Sequence, residues 1–147
     1  MSQPIIQLNN VVKEFTIGGG FASVERFKAL QGITLNLHKG RTLALVGESG
    51  CGKSTCARLI TKVYPTTSGE ILFNGKNIDE ITSKKELLDY RSKVQMVFQD
   101  PFGSLNPTQT IEHHLTRPLK IHKQVANKAD IPARLKELIE LVELAPD

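Results

Sequence analysis

Nine consecutive residues, Gly47-Glu48-Ser49-Gly50-Cys51-Gly52-Lys53-Ser54-Thr55, hold the densest chemistry in the chain. They match the phosphate-binding loop pattern G-x-x-x-x-G-K-S/T at every fixed position. The spacing has a physical reason. A polyphosphate is dense in negative charge, and backbone N–H groups can surround it only where no side chain stands between. Gly47, Gly50 and Gly52 permit that close approach and a backbone with positive φ. A helix opening just after the loop aims its unpaired N–H groups and positive dipole end at the same anion. Lys53 adds a point charge for the β- and γ-phosphates, and the Ser54 hydroxyl stands where it can ligate Mg²⁺.

Such a loop works only if regular elements hold it from both sides. Thr42-Leu43-Ala44-Leu45-Val46 reads as a buried strand entering the loop. Lys53 to Tyr64 reads as the helix leaving it, with Ala57, Leu59, Ile60 and Val63 apolar. Strand, loop and helix stand in the order the motif requires. A glycine-rich turn without a ligand is the bland alternative, and this context disfavours it. The expected ligand is a nucleoside triphosphate.

Composition sets the outer bounds. The chain has 147 residues, 39% of them hydrophobic and 23% charged, as in a soluble globular domain. The longest apolar run, Leu43 to Val46, is far short of a membrane span, and Met1-Ser2-Gln3-Pro4 has no secretory pattern. A net charge of +4 raises the question of nucleic acid. The basic residues are scattered and only 5% of residues are aromatic, so they read as solvated surface. Cys51 and Cys56 suggest no disulfide, which fits a reducing cytoplasm.

Along the chain, Pro4 to Val12 reads as a strand closed by Lys13-Glu14-Phe15, and Gly18 to Gly20 as a flexible turn. Lys28 to Leu30 and Ile33 to Leu37 read as two short strands. Glu70 to Phe73 forms a further strand ending in the Asn74-Gly75 turn. Ser83 to Tyr90 has helical spacing, and Val94 to Phe98 is strand-like up to Gln99-Asp100-Pro101. Thr110 to Lys120 reads as a helix interrupted by Pro118. Asp130 can cap a helix from Ile131 to Leu144, whose stripe is Ile131, Leu135, Leu138, Ile139 and Val142. These elements divide the chain into a strand-rich binding part, residues 1–100, and the start of a helical part, residues 101–147.

Three further stretches narrow the class. Phe15 lies just after the expected first strand, and Thr67-Ser68-Gly69-Glu70-Ile71 precedes Asn74-Gly75. Gln99 opens Gln99-Asp100-Pro101-Phe102-Gly103-Ser104-Leu105-Asn106-Pro107, a Q-D-P-x-x-S-L-N-P run. With the phosphate loop, these resemble the ATP-binding subunits of ABC transporters, specifically the dipeptide, oligopeptide and nickel importer branch. The resemblance runs from Ile5 through Val142. It implies an α/β P-loop NTPase fold: an ABC-type nucleotide-binding domain with an antiparallel β edge subdomain and an incomplete helical subdomain.

The resemblance also implies roles. Ser49, Gly50, Cys51, Gly52, Lys53, Ser54 and Thr55 would hold the phosphates of ATP, with Gly47 opening the loop. Ser54 and Gln99 would attend Mg²⁺, and Gln99 would orient the attacking water. Phe15 would stack on adenine, where many relatives carry Tyr. Phe102 to Leu105 would face a transmembrane permease. The partners implied are a second ATPase subunit, equal or different, the permease subunits and, indirectly, a substrate-binding protein. No nucleic acid is implied, and the location is the cytoplasmic face of the inner membrane.

The chain departs from this family in one respect. It has no L-S-G-G-Q helix, no apolar strand ending in Asp-Glu and no switch histidine, so it reads as the N-terminal part of a longer protein. The expectation is that residues 1–147 alone do not hydrolyse ATP. His113, His114 and His122 invite a metal reading, but without Cys or carboxylate at ligand spacing they read as surface residues. Two other classes stay open: a non-transport ABC ATPase, separable by whether a permease co-purifies, and a small-molecule P-loop kinase. The kinase would need an Arg-rich lid, and residues 110–147 supply only Arg117 and Arg134.

Overall fold

A computed structural model describes residues 3–18, 25–100, 103 and 105–144. The chain divides into two compact units, Met1–Met96 and Val97–Asp147.

The first unit is built on strands β1 (Ile6–Ile17), β2 (Glu25–Leu37), β3 (Ser68–Phe73) and β4 (Lys76–Asn77). They form one antiparallel sheet in the order β2-β1-β3-β4. Helix α1 (Lys53–Ile60) and helix α2 (Lys84–Lys93) belong to the same unit. The loose alternation in β1 comes from a bulge at Asn10, whose φ is 47°. Leu8 and Val11 can both face inward because the bulge shifts the pleat between them. β3 crosses this bulge at Gly69, φ 80°, where a Cβ would sit 2.3 Å from the Asn10 carbonyl oxygen. Thr67 completes the junction: its N–H donates to Val12 O at 2.9 Å and its hydroxyl accepts from Glu14 N at 2.9 Å. The Thr67-Ser68-Gly69 signature is therefore a device for joining two strands.

The core of this unit takes Ile6, Leu8 and Val11 from β1, Leu30 from β2, Cys56 and Leu59 from α1 and Ile71 from β3, with Ile78 and Tyr90. Leu59 is fully buried, which ties α1 to the sheet at roughly 1.5–3 kcal/mol of apolar transfer. Two polar links root the end of α1. The Tyr90 hydroxyl donates to the Ile60 carbonyl, and Lys62 Nζ donates to the carbonyls of Ile78 and Ile81. Tyr90 also meets Phe73 edge-on, with centroids 5.3 Å apart.

The second unit pairs helix α3 (Ile111–Ile121) with helix α4 (Ile131–Leu141) around Leu119, Ile131 and Leu135. Thr110 caps α3 by accepting from His113 N at 3.2 Å. Among the described residues, no helix is long and apolar enough to cross a membrane.

Several expectations need correction. Thr42–Val46 and Val94–Phe98 are not strands. Val46 is 93% exposed and Val97 96%, although their composition suits a buried parallel strand. A strand is stable only when another satisfies its ladder groups, and among the described residues no strand pairs with either segment. The two short strands around Gly32 are one continuous β2. α1 ends at Ile60 and α4 at Leu141, both earlier than expected. Pro118 does not interrupt α3: it forgoes one bond, and the ladder resumes with His122 N to Pro118 O at 2.9 Å. Packing of Leu115 and Leu119 in the small core holds that turn. Asp130 stands at the N-cap of α4, but its side chain makes no capping bond.

Candidate functional site

The loop closes on itself before it opens into α1. Cys51 N donates to Glu48 O at 3.4 Å, and the first helical bond is Cys56 N to Gly52 O at 2.8 Å. Gly52 is the N-cap of α1, in the left-handed region at φ 97°, and no side chain caps the helix. The amides of Lys53, Ser54 and Thr55 thus have no acceptor within the helix. Lys53 folds back over the loop. Its ammonium donates to Gly47 O at 2.7 Å and Glu48 O at 2.6 Å, with Cys51 Sγ at 3.4 Å. A positive charge and an uncapped helix start therefore share one exposed corner, the arrangement that attracts a phosphate chain. Ser49, Gly50, Cys51 and Ser54 are exposed there, with Lys53 and Thr55 half-buried.

The corner is seated on the sheet through Gly52. A Cβ on Gly52 would lie 2.6 Å from Ala29 O and 2.6 Å from Leu30 Cδ2, so β2 touches the loop backbone directly. Gly47 is similarly close to Cys51, whose Sγ would meet an added Cβ at 2.7 Å. Because the preceding segment forms no strand, this contact and the burial of α1 are what position the loop.

Phe15 belongs inside β1 rather than after it, since the strand runs on to Ile17. Its ring meets Tyr64 edge-on, with centroids 5.3 Å apart and planes at 81°. Lys13, only 8% exposed, holds this pair together. Its Nζ donates to Pro65 O at 2.9 Å and lies 5.0 Å from the Phe15 centroid and 5.9 Å from that of Tyr64. Arg58 approaches Tyr64 as well, with Nη1 donating to the hydroxyl at 3.4 Å. Lys13, Arg58 and Tyr64 escaped the sequence reading. The available signal was Lys13-x-Phe15 on a strand, which puts both side chains on one face.

Gln99 lies in the second unit and is exposed. Pro101, Phe102 and Ser104 of its loop fall outside the described residues, while Leu105 is exposed. His114 Nε2–H donates to Asn106 O at 3.1 Å, and the His113 and His114 rings meet edge-on. Among the described residues, no group of three or more His, Cys, Asp or Glu is arranged to hold a metal.

Residues 30–146 match the ABC transporter sequence profile. The chain belongs to the ABC transporter family. Among curated ABC relatives it is 40% identical to the oligopeptide transport ATP-binding protein OppF of Bacillus subtilis, over 98% of this chain and 46% of that protein. It is 37% identical to the glutathione import ATP-binding protein GsiA of Escherichia coli, over 99% of this chain and 23% of that protein. The chain thus spans less than half the length of these relatives. Its fold is that of ABC ATPases: the ATP-binding cassette MJ0796, solved as a dimer bound to ADP and Pi, superposes with TM-score 0.76 at 26% identity. That match covers 95% of this chain and 58% of MJ0796.

Proposed function

We propose that this chain is the nucleotide-binding part of an ATP-hydrolysing subunit that powers import of peptides, or of nickel, through a membrane permease. One observation carries the reading: the Lys53 ammonium held on Gly47 and Glu48 at the uncapped start of α1. The donor set fits Mg-ATP. The loop glycines leave the backbone bare, the first-turn amides of α1 are left without helical acceptors, and Ser54 offers a hydroxyl oxygen for the metal. When bound, Mg-ATP supplies the γ-phosphoryl group whose transfer to water drives the transport cycle.

The chain's own residues then have separate tasks. Lys53 exchanges two carbonyl acceptors for phosphate oxygens, a gain in charge-assisted bonding. Gly47 and Ser49 to Thr55 wrap the phosphates, and Phe15 offers a ring face to adenine while Lys13 and Tyr64 hold it in place. Gln99 keeps the role that the family resemblance implies, and its loop, including Phe102 to Leu105, reports nucleotide state to the permease. The relatives named for oligopeptide and glutathione transport support the cargo class, and the dimeric MJ0796 supports pairing with a second ATPase subunit. The working place is the cytoplasmic face of the membrane, with a binding protein delivering cargo to the permease.

Residues 1–147 by themselves turn over no ATP, because they contain no L-S-G-G-Q segment and no acidic strand end to hold water and metal. Two measurements test the proposal. Mg-ATP titrated into the full-length subunit must bind saturably, and affinity purification from membranes must bring an integral permease; failure of either overturns it. Phosphate release by residues 1–147 approaching that of the full-length subunit would show that the catalytic assignment is wrong.

A further inference from the structure

We propose that Phe27 is a second wall of the base-binding site, stacking or packing edge-on against the purine that Phe15 receives. The inference rests on the nucleotide reading above and extends it to a residue on another strand. The register sets Phe27 directly opposite Phe15. The ladder passes from Lys13↔Leu30 to Glu14↔Lys28, so Ala29 is the extra residue of a bulge. Past the bulge, Glu14 and Lys28 form an ion pair at 3.4 Å on one face, leaving Phe15 and Phe27 to share the other. That face carries the buried Lys13 and Leu30.

Phe27 is 52% exposed, a large aromatic that the core does not use. It lies two positions from Ala29, whose carbonyl touches the loop at Gly52. β2 therefore carries both the seat of the phosphate loop and an exposed ring, roughly 7 Å apart along the strand. A nucleotide anchored at Lys53 has a flat, apolar base to cover. Phe15 covers the base with one ring face at most, because Lys13 lies over the ring and Tyr64 meets it edge-on. A ring standing opposite supplies the missing contact, and aromatic stacking discriminates base from phosphate.

The chain contains no tryptophan, so Phe27→Trp introduces a single fluorescent reporter. Mg-ATP is expected to quench the indole emission of this variant, while Mg-tripolyphosphate, which has no base, leaves it unchanged. Phe27→Ala is expected to weaken Mg-ATP binding about tenfold and to leave tripolyphosphate binding as it was. Calorimetry that shows Mg-ATP bound to Phe27→Trp while the indole emission stays constant overturns this inference and leaves the nucleotide reading standing. Equal weakening of both ligands by Phe27→Ala assigns the residue to loop support and also overturns it. If the unsubstituted chain binds neither ligand at millimolar concentration, the nucleotide reading fails and takes this inference with it.

Discussion

The carbonyl oxygen of Ala29 lies 2.6 Å from the point where a Cβ on Gly52 would be. This contact, between the middle of β2 and the N-cap of α1, joins the antiparallel sheet to the phosphate loop. It makes Gly52 irreplaceable on two counts, because its φ of 97° is also strained for any other residue.

Gly52→Ala is therefore expected to destabilise the chain by roughly 1–3 kcal/mol through backbone strain, with the clash against Ala29 added. Urea unfolding followed by circular dichroism reads this directly. An unchanged midpoint would mean that the loop is not seated on β2.

Lys53→Ala should lower Mg-ATP affinity at least tenfold while leaving the unfolding midpoint within measurement error. The side chain touches only the loop and contributes nothing to the core. A charge-assisted bond to phosphate is worth about 1.5–3 kcal/mol, enough for that loss. Calorimetric titration of both forms gives the comparison, and equal affinities would remove Lys53 from the site.

The two cysteines should separate under brief maleimide treatment. Cys51 is exposed beside the Lys53 ammonium, whereas Cys56 is buried in the core. Burial pushes the Cys56 thiol up from its ordinary value, disfavouring the reactive thiolate. Mass spectrometry should find Cys51 labelled first, and Mg-ATP should protect it. Labelling at equal rates would contradict the exposed loop.

Tyr90 gives a pH signature. Burial pushes its hydroxyl from an ordinary 10.0 up to about 12. Between those values the unfolded chain has released a proton that the folded chain retains, so stability falls as pH rises through that window. The contribution is fully present below the ordinary value of 10.0. Tyr90→Phe should flatten the decline, and at neutral pH it should cost about 1–3 kcal/mol for the Ile60 carbonyl left without its donor. Unfolding midpoints for both forms, from about one pH unit below that ordinary value to one above, would decide this. Parallel declines would exclude Tyr90 as the cause.

How far the sequence could be read followed from the range of the interactions involved. The loop's shape was legible because a glycine-rich turn that opens a helix is encoded within nine residues. Start and stop signals worked where they were local too, as with Thr110 opening α3 and the Asn74-Gly75 turn. The family resemblance was legible for the same reason, through short fixed strings such as the one opening at Gln99.

What tertiary structure alone decided was every feature that depends on a distant partner. Thr42–Val46 has the composition of a buried strand, yet remains irregular and exposed because composition cannot supply a neighbouring ladder. The bulge at Asn10 and the crossing of Gly69 over it depend on two strands meeting. Lys13 reads as a surface lysine in one dimension. Only the approach of Pro65 and Tyr64 makes it a buried cation against two rings. The loop proposed to bind phosphate is thus written locally, because amides and glycines shape it. The platform that aims it is not, because hydrogen-bond ladders and packing are made between residues far apart in the chain.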